Sequence, residues 1–114
     1  MKNFLVLYQI PVAVVEEWKK TPAEKRKEAE EKMQREWKQW MSDHANMFAD
    51  PGSGVGKTKR VTGQGAADAR NDIMLYAIVQ AESHADAAKA FEGHPHLQIP
   101  QASIEVMETN PLRM

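Results

Sequence analysis

The spacing of apolar positions shifts back and forth along the chain, and each shift marks an element. Phe4, Leu5, Val6, Leu7 and Tyr8 form an unbroken apolar run within residues 3–10 that ends at Pro11. Such a run predicts a strand covered on both faces, hence a central one. Residues 12–20 carry Val15 and Trp18 and predict a short helical turn. Thr21-Pro22-Ala23-Glu24 then places a hydroxyl, a proline and a glutamate in the order of a helix start. A long helix over about residues 22–48 follows from the three- and four-residue steps of Ala29, Met33, Trp37, Trp40, Met41, His44, Met47 and Phe48. Its early turns are nearly all charge, with Glu28–Lys32 and Glu31–Arg35 running acid to base at four-residue spacing. The half from Met33 onward is the part able to anchor against a core.

Glycine then interrupts the pattern. Residues 50–56 and 63–72 read as glycine-rich loops, with a polar edge strand at 55–62. Residues 73–82 are the strongest strand: Ile73, Leu75, Ala77 and Val79 point one way, Met74, Tyr76 and Ile78 the other. Ser83, with Asp86 three residues on, caps a short helix that presents Ala87, Ala88 and Phe91 and stops at Gly93. In residues 102–108, Ile104 and Val106 alternate with Glu105 and Met107 as a last strand, and Pro111 closes the regular structure. The order β-α-β-β-α-β predicts an α+β, ferredoxin-like fold, a four-stranded antiparallel sheet with two helices on one face. Because the strand at 73–82 is apolar on both sides, the helix-free face needs its own cover. A two-fold homodimer closing those faces together is the simplest one.

Composition narrows the picture further. At 114 residues the chain is one domain, spanning 1–114, with 42% apolar and 27% charged residues. Fifteen basic against sixteen acidic side chains give a net charge of −1, which argues against a nucleic-acid partner. The absence of cysteine excludes disulfides, thiolate nucleophiles and cysteine-ligated metals, and fits a cytoplasmic protein. No apolar run is long enough to cross a membrane. The stretch from Phe4 to Val15 after Lys2 looks superficially like a signal peptide. Gln9, Pro11 and the acidic pair Glu16-Glu17 interrupt that pattern, so it is read as structure.

Several local patterns invite chemistry. Gly52-Ser53-Gly54-Val55-Gly56-Lys57-Thr58 approaches a phosphate-binding loop, but Pro51 stands where its first glycine belongs and a helix precedes it in place of a strand. Lys57, Lys59 and Arg60 form a small basic cluster without interleaved aromatics. Among the four histidines, His84 is expected to be exposed, and His44 to sit on the apolar stripe as a core or interface residue. His94-Pro95-His96 follows a helix C-terminus, where the helix dipole favours an imidazolium. His94 and His96 are the candidate acid/base or ligand-binding residues, the alternative being a structural role that pins the loop. As a metal site the segment lacks an obvious third ligand, although Asp43, Asp50 or Glu105 could approach in the fold; no metal and no cofactor are expected. Trp37, Trp40 and Tyr76 are the candidate ligand-binding aromatics, the alternative for the tryptophans being plain core.

Gln80-Ala81-Glu82-Ser83, the block Gly93-His94-Pro95-His96-Leu97, the ending Ile104-Glu105-Val106-Met107-Glu108 through Pro111, and the Trp37-x-x-Trp40 helix leading to Gly56-Lys57 together resemble the YCII-related (YciI-like) family of small bacterial proteins. The resemblance implies a ferredoxin-like protomer assembling as a dimeric α/β barrel. Most members of that family have no assigned activity. Some carry a histidine–aspartate pair in a cleft, and one branch includes a dehydrochlorinase acting on chlorinated hydroxyquinols. The early histidine of those relatives has no counterpart here, which leaves His94 and His96 as the matched polar positions. Two functions follow as expectations. One is a homodimer with a small-molecule cleft and histidine acid/base chemistry; the alternative is a non-catalytic interaction or stress-related dimeric module.

Overall fold

The strands sort by which side chains must leave water. In the computed structural model, which describes residues 1–112, the elements run β1 (Lys2–Gln9), α1 (Val12–Lys19), α2 (Ala23–Asp43), a 3-10 turn (Ala45–Met47), β2 (Phe48–Gly54), β3 (Thr58–Thr62), β4 (Gly65–Ala69), β5 (Ile73–Ala81), α3 (His84–Ala90), a second 3-10 turn (Pro95–Gln98) and β6 (Ser103–Glu108). β1 and β5, the two segments apolar on both faces, occupy the middle of a four-stranded sheet ordered β2-β5-β1-β6. Every neighbouring pair in it is antiparallel. This α+β architecture is compatible with a ferredoxin-like fold.

One face of the sheet carries the core. Phe4, Val6 and Tyr8 of β1 and Ala77 and Val79 of β5 are almost wholly buried there, against Trp40 of α2 and Ala87 and Phe91 of the α3 end. On the other face Leu5 pairs with Ile78 and Met107, and Leu7 with Tyr76. These side chains lie outside that core; Leu5, Leu7, Tyr76 and Ile78 are half-buried and Met107 is exposed. The period-2 rule thus holds along both central strands.

Four local expectations are corrected. The long helix ends at Asp43 rather than near residue 48, because His44 turns out of helical geometry (φ −121°, ψ 15°). Its ring Nδ1 donates to the Trp40 carbonyl at 2.8 Å and stacks on the Trp40 indole at 4.0 Å, closing the helix end. Residues 50–56, expected to be a glycine-rich loop, mostly belong to β2, an edge strand broken by irregularities between Phe48 and Asp50 and between Asp50 and Ser53. Gly52 makes this strand feasible. It sits at φ +79°, and a Cβ there would lie 1.7 Å from the Tyr76 carbonyl oxygen, so only glycine lets β2 approach β5.

The segment expected to be an edge strand plus a glycine-rich loop is instead a separate hairpin. β3 and β4 pair Thr58 with Ala69 through Thr62 with Gly65 around a two-residue turn at Gly63-Gln64. Finally, Thr21 does not cap α2. Pro22 holds the cap position, with no side-chain cap hydrogen bond. The Ser83 cap does form, accepting from the Asp86 N–H at 3.1 Å.

The hairpin and the solvated first half of α2 reach away from the core. The radius of gyration is 16.1 Å and the principal extents are 48 × 45 × 19 Å. A compact chain of this length has a radius of gyration of about 13 Å.

Candidate functional site

Gly93, at φ +76°, redirects the chain after α3 and sends the next three residues inward. Pro95 then occupies the first position of a 3-10 turn whose N-cap is His94. Both imidazoles end up inside the protein, His94 with 1% and His96 with 2% of its surface exposed.

Each ring is held by backbone groups. His94 Nδ1 accepts a hydrogen bond from the His96 N–H at 3.0 Å. An accepting Nδ1 places the proton of the neutral ring on Nε2. That Nε2 is buried without a hydrogen-bond partner, among the indoles of Trp37 and Trp40, whose centroids both lie 4.4 Å from the imidazole. A weak N–H contact with π density is what this environment offers. His96 Nε2 donates to the Gln9 carbonyl at 3.0 Å, fastening the turn to the end of β1.

Electrostatics follow from burial. Desolvation, reinforced by the neighbouring His96 and His44, lowers the His94 pKa from 6.5 to about 4. His96 is lowered by burial too, against the opposing pull of its backbone bonds to Gln9 and Ser103. Both rings are neutral at physiological pH. The helix-dipole expectation of an imidazolium is therefore corrected: loss of hydration outweighs the dipole term, which is worth about 1 kcal/mol or less at an exposed site.

The structure brings Trp37, Trp40, His94 and His96 together and adds Tyr8. The Tyr8 ring lies 5.2 Å from Trp37, 5.3 Å from His94 and 5.4 Å from His96. Burial pushes its phenol pKa upward, so it too is neutral. Phe91 completes the box, 5.1 Å from Trp40 and 6.2 Å from Tyr8. Edge-to-face and tilted pairs of this kind each add about 0.5–1.5 kcal/mol beyond the area they bury. The signal for Tyr8 was present in the sequence: it follows Phe4 and Val6 at two-residue steps, which puts it on the face the helix stripe covers.

Tyr76 is not part of this cluster. It pairs with Leu7 on the opposite side of the sheet, so the three candidate aromatics do not line one cleft. Nor is there a chamber between the two tryptophans and the His94–His96 turn, since the rings there are in direct contact. The groove of about 550 Å³ at Trp37 runs outside the cluster and is lined only by α2 side chains, among them Gln34, Lys38 and Met41. His84 is exposed as expected, yet its Nε2 donates to the Val106 carbonyl at 2.7 Å and its ring stacks on Phe4 at 5.3 Å. Among the described residues, no three His, Asp or Glu side chains converge at metal-binding distance. Among the described residues, no helix is long and apolar enough to cross a membrane.

The site can therefore do one thing well: join α2, the end of β1, the turn after α3 and the start of β6 through aromatic contacts and imidazole–backbone bonds. No family model matches the chain, and no curated protein matches it.

Proposed function

We propose that the protein is a cytoplasmic homodimeric module of the YCII-related type, in which the helix-free sheet faces of two copies close on each other and the buried histidines pin the fold. One observation carries this reading: a continuous apolar strip on the face opposite the core. Leu5, Leu7, Tyr76, Ile78 and Met107 form its middle, and Asn3, Gln9, Gln80 and Glu105 surround it. An apolar centre with a polar margin is the composition of a protein interface rather than of a solvated sheet. A two-fold contact lets one such patch cover another without a second surface having to evolve.

The histidines support the same reading. A general acid or base needs a nitrogen within reach of a substrate and a pKa near the working pH. His94 and His96 offer buried rings bonded to backbone and pKa values shifted away from neutrality. Acid/base chemistry by these two residues is accordingly not part of the proposal.

Sedimentation equilibrium at micromolar concentration tests the assembly. The expected mass is about twice 12.9 kDa, and Ile78→Glu, which puts a charge at the centre of the strip, should return it to one chain mass. A wild-type protein sedimenting as a single chain across that concentration range would end this reading.

A further inference from the structure

A second concave feature lies at the other end of the sheet, where the β3–β4 hairpin leaves the body. Here Val12 and Val15 of α1, Val55 beyond β2 and Ile73 of β5 wall a cavity of about 310 Å³, with Lys57 and Arg70 among its polar lining residues. A volume of this order sits at the lower end of what small-molecule sites use. Its walls are braced. The Ile10 N–H donates to the Asp72 carbonyl at 2.8 Å, the Val12 N–H reaches the Asp72 carboxylate at 3.3 Å, and the Val55 N–H donates to the Met74 carbonyl at 2.9 Å.

The two cations are not equivalent. Arg70 donates to Glu16 across a 2.7 Å ion pair, which ties α1 to the hairpin base and holds the Glu16 carboxyl below its usual range. Lys57 has no acidic partner among the described residues. Its backbone is left-handed, at φ +54°, a conformation that non-glycine residues rarely adopt. No acidic side chain stands among the cavity's described lining residues, while Glu16 and Asp72 are engaged by Arg70 and the Val12 N–H. Apolar walls together with Lys57, a lining residue without an acidic partner among the described residues, call for an apolar body with a single negative head.

We propose that this cavity binds a small carboxylate with an apolar body, its alkyl or aryl portion against Val12, Val15, Val55 and Ile73 and its carboxylate on the Lys57 ammonium. None of the cavity's lining residues belongs to the histidine cluster.

Titration of the 15N-labelled protein with benzoate and hexanoate, followed by amide chemical shifts, tests it. The neutral counterparts benzyl alcohol and hexanol serve as controls. Saturable shifts at Val12, Val15, Val55 and Ile73 are expected for at least one acid, with its alcohol roughly tenfold weaker, the scale of one charge-assisted contact. Lys57→Asn, a replacement that tolerates the left-handed backbone, should weaken the acid roughly tenfold and leave the alcohol unchanged, while its spectrum reports the intact fold. Equal binding of acid and alcohol, acid binding unaffected by Lys57→Asn, or no localised shift with either acid up to its solubility limit would each overturn the proposal.

Discussion

At the scale of single residues, His94 shows how environment overrides type. An imidazole after a helix reads as a cation or a proton carrier from sequence. Inside a box of Trp37, Trp40, Tyr8 and Phe91 it becomes a neutral, hydrogen-bonded spacer. Its folded pKa of about 4 lies below the unfolded value of 6.5, so the unfolded chain takes up the proton first as pH falls. Its contribution to stability is complete above pH 6.5 and is lost as pH drops toward 4, amounting to about 3 kcal/mol at most. His96, lowered in the same direction, adds to the loss. Urea unfolding midpoints measured from neutral pH down to about pH 4 should fall over that window. In His94→Asn, which keeps a short acceptor but cannot titrate, the fall should be shallower. A wild-type midpoint that stays flat there would contradict the buried neutral state.

At the scale of elements, the edge strand β2 is the least legible part of the chain. Met47 and Phe48 continue the spacing of the helix stripe, so periodicity alone extends α2 past its end. What ends it is the backbone of His44 and its bond to the Trp40 carbonyl, a local geometry that apolar spacing does not encode. Asp50-Pro51-Gly52-Ser53-Gly54 has the composition of a turn, and it becomes a strand because it lies along an already formed β5. Gly52 is the position on which that pairing depends. Gly52→Ala should destabilise the protein by more than 2 kcal/mol, since it combines a left-handed backbone with a clash into the Tyr76 carbonyl; that figure is of roughly the size found for strained sites. Chemical denaturation measures it, and a change below about 0.5 kcal/mol, the range of ordinary surface substitutions, would show that β2 is not held as described. The Ser83 cap, by contrast, was legible because its geometry is wholly local.

At the scale of the whole molecule, a thin body with a projecting hairpin and an uncovered apolar strip is an incomplete solution to burying a small core. Isolated two-stranded ribbons are marginal in water, and the chain as a whole is wider than a compact one of its length. The proposed assembly of two copies would supply the missing burial and would link stability to concentration. The melting temperature should therefore rise with protein concentration in the wild type and become independent of it in Ile78→Glu. A concentration-independent melting temperature in the wild type, over a range spanning dissociation, would count against closure of the sheet faces.

The sequence by itself determined the two central strands, the core half of the long helix and the Ser83-capped helix, because each rests on periodicity or on contacts close along the chain. Only the tertiary structure decided that residues 48–54 pair as a strand, that residues 58–69 form their own hairpin, that Tyr76 faces away from the tryptophans and that the histidines are buried and neutral. Those outcomes depend on which surfaces meet across long separations, and loss of hydration at such a meeting reverses what the isolated side chain would do.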